Sequence, residues 1–192
     1  HCSASLSQNQ AYCSRKKPNL QPQRKCGMMS GEKGAIAMTK TNVMRLLDQA
    51  KISYRTAEYD YDESDLSGIH AAEAIGMPAE QIFKTLVARG EKCGYLVFCI
   101  PVCCELDLKK AAKAAGDKKV ELIHVKELLP LTGYLRGGCS PIGMKKKFPT
   151  FIDETAILFD EIGVSAGCRG CQILLAPDDL ISYVNPSLCD LT

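Results

Sequence analysis

The chain has 192 residues, 46% of them apolar and 24% charged, with a formal net charge of +2 and 11 cysteines. That is room for one domain with a sizeable core, in the balance of an ordinary globular protein, so a collagen-like or wholly disordered chain does not fit. No apolar run approaches the roughly 18 residues that a membrane-spanning helix requires, which points to a soluble protein.

Charge is unevenly placed. Up to Met38 the six basic residues Arg15, Lys16, Lys17, Arg24, Lys25 and Lys33 face one acid, Glu32, so the positive balance belongs to this segment and the remainder is net acidic. Residues 1–38 are poor in apolar side chains and show neither helical nor strand periodicity, so they read as a disordered leader or a presequence remnant ahead of a domain at 39–192. The start lacks an apolar signal segment, and Cys99 sits inside the apolar run Leu96–Ile100 as a small hydrophobe, so a reducing cytoplasm is the expected location.

The first predicted helix opens with Asn42 as its cap, and Val43, Leu46, Leu47 and Ala50 share one face. An extended segment covers 52–61. A second helix runs from Ser67 to Gly76, with Ile69, Ala72 and Ile75 inward and Gly76 closing it; Pro78 then opens a short turn. Phe83–Arg89 and Tyr95–Val102 read as antiparallel strands joined by five residues with glycine at both ends. Leu106–Ala115 is an alanine-rich helix, Asp107 early and lysines late as the dipole favours, stopped by Gly116. Val120–Ile123 is a short strand, and Val125–Leu129 a helical turn ended by Pro130. Thr150–Asp153, Ile157–Val164 and Gln172–Leu175 read as further strands, and Pro177 and Asp178 open a last helix. This mixed order, without a βαβ rhythm, predicts a single α+β domain: a central mixed, partly closed sheet or barrel flanked by helices.

Three segments carry the chemistry. Thr132–Gly143, leading into Met144–Pro149, is a loop rich in glycine, where backbone N–H groups approach a ligand closely and lysines supply charge for phosphate. Gly163–Gly170 sets glycines around Ser165 and suits holding a small polar group. Lys84 stands in the apolar run Phe83–Val87; it is either an edge-strand lysine facing solvent or a cleft cation for a phosphate or hydroxyl. Cys168 and Cys171 form a C-x-x-C pair without the setting of a redox motif or a second pair for zinc, so packing cysteines are the plainer reading. The histidines His1, His70 and His124 form no triad or metal spacing.

Taken in order, Phe83-Lys84-Thr85-Leu86, Leu106-Asp107-Leu108-Lys109-Lys110, the Gly133–Pro149 loop with Thr150–Asp153, and Gly163–Gly170 resemble the YbaK/EbsC family of aminoacyl-tRNA deacylases. The likeness covers nearly everything from Lys40 onward. It implies the fold shared with the editing domain of bacterial prolyl-tRNA synthetases, and hydrolysis of the ester that links a mischarged amino acid, chiefly cysteine, to tRNA(Pro). The substrate's own thiol would attack the ester, with the protein positioning it, so neither cofactor nor metal is expected. Lys84 and Gly137 would stand at the reacting ester, with Tyr59, Thr85 and Ser165 around the aminoacyl-adenosine. Gly138, Ser140 and Gly167 complete the expected substrate-binding set. Lys109, Lys110, Arg136, Lys145, Lys146 and Lys147 are the expected tRNA contacts. The implied partners are the tRNA acceptor end and prolyl-tRNA synthetase, with neither membrane nor DNA. Two positions depart from the family pattern: a pocket phenylalanine is replaced around Ser67, and an aspartate by Gln172. The competing classes are a silent tRNA-end binding or regulatory module and, third, a redox protein acting through Cys168 and Cys171.

Overall fold

Helix α1 (Asn42–Ala50) is capped one residue earlier than expected: Thr41, in extended conformation, accepts the Met44 N–H on its hydroxyl at 3.3 Å, so Asn42 is already helical. Val43, Met44 and Leu47 are its buried face. The computed structural model describes residues 39–192, and the leader read at 1–38 lies outside the described residues. After strand β1 (Arg55–Glu58), helix α2 (Gly68–Ile75) is capped by the Ser67 hydroxyl and closed by Gly76 in the left-handed region, as the sequence predicts. Its inward face differs. Ala71 and Ala72 are buried while Ile69 is 46% exposed. The cause is close approach: a Cβ on Gly68 would lie 2.2 Å from Val102 Cγ1, so small residues must face the sheet.

Strands β2 (Phe83–Gly90) and β3 (Tyr95–Pro101) pair antiparallel along their full length. They are the centre of a five-stranded sheet in the order β4-β2-β3-β5-β8, where β4 is Val120–Leu122, β5 Thr150–Asp153 and β8 Ser187–Cys189. The contacts of β5 with β3 and β8 are parallel and the others antiparallel. A smaller antiparallel sheet has the order β1-β7-β6, with β6 Ile162–Ser165 and β7 Cys171–Leu175. The α+β class stands, and the mixed sheet comes as two, linked through a parallel bridge between Ile82 and Gly163.

Side-chain alternation divides the core. Ala88, Leu96, Phe98, Ile100 and Phe151 pack under helix α3 (Leu108–Ala115) through Ala111 and Ala112, with Phe98 and Phe151 stacked at 5.1 Å. On the other face Phe83, Val87, Val97, Cys99 and Ile152 pack against α1 and the small sheet.

Three sequence readings change. Helix α4 (Val125–Thr132) runs through Pro130, since so short a helix loses only the bond toward Lys126, and the Thr132 hydroxyl ties the last turn by donating to the Leu128 carbonyl at 2.7 Å. Ile157 and Leu158 belong not to a strand but to a 3-10 turn, Glu154–Leu158, which Asp153 caps by accepting from the Thr155 N–H and hydroxyl. Beyond helix α5 (Pro177–Val184), β8 was not legible as a strand, because Asn185-Pro186 precedes it and it is only three residues long.

Candidate active site

A cavity of about 560 Å³ opens beside the first half of β2. Residues 83–87 are one wall, and the start of α2 with Leu66 and Tyr59 a second. Arg136, Gly137 and Cys139 of the glycine loop face them, and Ser165 and Gln172 of the small sheet lie on the wall too. Six of the residues singled out in the sequence, Tyr59, Lys84, Thr85, Arg136, Gly137 and Ser165, therefore meet around one space.

Lys84 and Thr85 reach it from opposite faces of β2, because successive side chains alternate. The Thr85 hydroxyl lies 3.8 Å from Cys99 Sγ on the small-sheet side. The Lys84 ammonium donates to the Val102 carbonyl at 3.5 Å and stands 3.6 Å from the Glu105 carboxylate, with a quarter of its side chain exposed. Tyr59 is set by its N–H on the Gly170 carbonyl at 2.9 Å, and its phenol oxygen accepts from Gln172 Nε2 at 3.5 Å. The Ser165 hydroxyl donates to the Cys168 carbonyl at 3.4 Å and accepts the Gly167 N–H at 3.3 Å. Neither contact is with a base.

Gly138, Ser140 and Gly167 are absent from the wall and build it from behind. A Cβ on Gly138 would meet the Cys168 backbone at 3.0 Å, so this glycine lets the two glycine segments touch. Ser140 is fully buried and accepts the Ile142 N–H. Gly167 has φ +87°, and a Cβ there would lie 2.9 Å from Val43 Cγ2. In this structure they shape the wall from behind rather than line it.

The five lysines expected to contact tRNA also lie off the wall. Lys109 and Lys110 open α3, where Asp107 accepts both N–H groups, and the Lys110 ammonium pairs with Asp190 at 2.7 Å and with the Thr192 carbonyl. Lys145, Lys146 and Lys147 are exposed on the loop beyond Gly143.

Electrostatics divide the thiols. Cys139, on the wall, is pushed up to about 12 by burial, and so is Cys99 behind it, so both stay protonated at neutral pH. Cys168 is lowered to about 7 by a hydrogen bond from Cys171, whose own proton is held correspondingly harder. Neither described imidazole, His70 or His124, lines the cavity. Among the described residues no cluster of three or more His, Cys, Asp or Glu side chains is arranged for a metal ion. Among the described residues Gln172 Oε1 is the buried side-chain oxygen left without a partner.

One contributor escaped sequence reasoning. Arg169 donates through Nε to the Arg136 carbonyl at 3.0 Å and through Nη1 to Glu63 at 3.1 Å, tying the glycine loop to the segment after β1. Its place between Gly167 and Gly170 was the available signal.

The aminoacyl-tRNA editing domain family matches residues 67–183. The chain belongs to this family, in its YbaK/EbsC branch. It is 51% identical over 153 residues to the Enterococcus faecalis protein named "Putative Cys-tRNA(Pro)/Cys-tRNA(Cys) deacylase EbsC", covering 80% of this chain and 93% of that one. A proline–tRNA ligase of Brachyspira hyodysenteriae is 22% identical over 134 residues, 65% of this chain and 23% of the ligase. Among solved structures, one described as a "putative trans-editing enzyme for prolyl tRNA synthetase" superposes with a TM-score of 0.70 at 27% identity, over 78% of this chain and 94% of that one. Among the described residues of this editing domain, no helix is long and apolar enough to cross a membrane.

Proposed function

We propose that this editing domain hydrolyses mischarged aminoacyl-tRNA, with Cys-tRNA(Pro) as its first substrate. The observation that carries the reading is the meeting of Lys84, Gly137 and Ser165 around one cavity. The chemistry of that wall fits a protein without a nucleophile of its own. Ser165 lacks a base, the Cys139 thiol stays protonated, and neither described imidazole lines the cavity. The substrate cysteine supplies the nucleophile. Its sulfur attacks the ester carbonyl carbon, the bond to the ribose oxygen breaks, the thiol proton passes to that oxygen, and water opens the resulting thiolactone to free cysteine.

Holding sulfur and carbonyl in reach supplies much of the acceleration. Lys84, with three donors on a flexible stem, leaves Glu105 for the ribose or ester oxygens, and the Gly137 backbone faces the developing oxyanion. Arg136, at the mouth, takes a phosphate. The relatives' names motivate one further element: prolyl-tRNA synthetase supplies the tRNA identity that this small domain does not read.

The test is release of cysteine from Cys-tRNA(Pro), Cys-tRNA(Cys) and Ala-tRNA(Pro). Wild type is expected to deacylate Cys-tRNA(Pro) well above background, and Lys84→Ala to lose at least a hundredfold in kcat/KM. Background rates for wild type on every substrate would leave a binding module. A loss that follows Cys168→Ser or Cys171→Ser and not Lys84→Ala would point to redox chemistry.

A further inference from the structure

Strand β2 carries a piece of backbone that no other strand covers. Along one edge it is paired with β3 from Phe83↔Pro101 to Arg89↔Tyr95. Along the other, β4 pairs only with Ala88, Arg89 and Gly90. The Ile123 N–H still reaches the Val87 carbonyl at 3.1 Å, and the chain then leaves the edge to enter α4 at Val125. From the opposite end the small sheet packs against β2 through side chains, and its backbone bridge to this edge is at Ile82–Gly163, just before the strand. Between these two points the edge is open, and the open stretch is the cavity wall.

Alternation says which groups face the opening. In an antiparallel ladder a residue turns both its N–H and C=O to the same side, and the next residue turns them to the other. The Val87 carbonyl faces β4, whereas the Ile82 carbonyl accepts the Val102 N–H from the β3 side at 2.8 Å. Odd-numbered residues of β2 thus face outward. Of the two odd residues between these contacts, Phe83 adjoins the Ile82–Gly163 bridge, and Thr85 is left with its N–H and C=O side by side at the cavity without a strand partner. Backbone groups are seldom left without a hydrogen-bond partner, and at an open cavity edge they are free to exchange water for a ligand. The surroundings say what kind. Ile69, Leu122 and Val125 line the same cavity and are 46%, 51% and 59% exposed, an apolar frame around a two-point polar edge. That combination suits a flat heterocycle whose rim sets an amino donor next to a ring-nitrogen acceptor.

We propose that the Thr85 backbone N–H and C=O read the pairing edge of the adenine bearing the aminoacyl ester, its ring faces lying against Ile69, Leu122 and Val125. The inference rests on the editing reading above. The acceptor of the ring takes the Thr85 N–H, and the amino group donates to the Thr85 carbonyl. Hypoxanthine, which carries a donor and an acceptor in the reverse order, meets like with like at both positions. An unmatched pair of this kind is a strong discriminator, because the strand's groups stay unpaired as well.

The experiment compares two acceptor-stem minihelices, identical except for a terminal adenosine or inosine, each chemically charged with cysteine. Wild type is expected to show a KM at least tenfold higher for the inosine substrate with kcat changed far less. Thr85→Pro removes the outward N–H from an edge that makes no ladder bond there, a place where proline is tolerated, and should shrink the difference. Thr85→Val, which keeps the backbone and loses the hydroxyl, should preserve it. Equal KM values in wild type, or full discrimination surviving in a folded Thr85→Pro, overturns the proposal. If Thr85→Pro does not fold, the wild-type comparison decides alone. Hydrolysis of neither minihelix would instead sink the editing reading.

Discussion

Replacing Gly138 with alanine adds one methyl group at the place where the two glycine segments cross. Its backbone φ is not in the left-handed region, so alanine is conformationally acceptable and the whole cost is steric. The new carbon would lie 3.0 Å from the Cys168 carbonyl carbon, 3.1 Å from its Cα and 3.3 Å from the Arg169 nitrogen. All three are backbone atoms, which cannot swing away as a side-chain tip would. Relief requires the Ser165–Gly170 turn to move, and with it the Ser165 hydroxyl and the Arg169 guanidinium that holds Arg136. Overpacking of this kind costs about 1–3 kcal/mol. Gly76→Ala is the control: φ is +71° but nothing lies within 4 Å, so it carries only the backbone penalty, about 1 kcal/mol, far from the cavity. Urea unfolding and Cys-tRNA(Pro) deacylation measured on both variants separate the effects. Gly138→Ala should lose at least tenfold in kcat/KM at a concentration of urea where it is fully folded, while Gly76→Ala keeps wild-type activity. A folded Gly138→Ala with stability within about 0.5 kcal/mol of wild type and undiminished turnover would refute the reasoning.

Other expectations follow from single contacts. Tyr134, 8% exposed, donates to the Ile142 carbonyl at 2.6 Å, so Tyr134→Phe should cost about 1–3 kcal/mol in urea unfolding by orphaning a buried acceptor. Among the thiols of the described residues Cys168 should be the one that iodoacetamide modifies first, its rate rising through about pH 7; Cys171→Ala removes the donor and should move that midpoint upward. Asp117 accepts backbone N–H groups of Cys93 and Lys92 and is lowered to about 2, so its contribution to stability is present above the ordinary carboxylate range and is lost as pH falls toward 2. The urea midpoint of Asp117→Asn should accordingly fall less between pH 5 and pH 2 than that of wild type. Exchanging Lys145, Lys146 and Lys147 for glutamate should weaken tRNA binding at low salt without shifting the urea midpoint, since these side chains are exposed; unchanged affinity would remove them from the tRNA path.

Local readings succeeded where a residue's effect is felt within one turn or one strand. Gly76 and Gly116 end their helices in the left-handed region, and β2 and β3 pair antiparallel across their glycine-flanked loop. They failed where partners far along the chain decide. Ile69 has the right spacing to face inward, yet Val102 crowds Gly68 and draws the alanine face to the sheet instead. Pro130 reads as a stop, but the helix runs two residues past it, with one backbone bond lost and the Thr132 hydroxyl tying its last turn to the Leu128 carbonyl.

The sequence by itself determined the residue types of the site: a lysine within an apolar strand, two glycine-rich turns, a serine between glycines, and histidines without triad spacing. Order and composition along a chain carry that information, because they are properties of each segment alone. Which of those residues share a space was decided by the tertiary structure. Departure of β4 from β2 after Val87 and arrival of β6 at Ile82 leave a gap of one open edge, and neither event is encoded near Thr85. That gap brings Lys84, Gly137 and Ser165 together, and it sends Gly138, Ser140 and Gly167, their neighbours in sequence, behind the wall, where van der Waals contact between distant segments fixes the shape of the cavity.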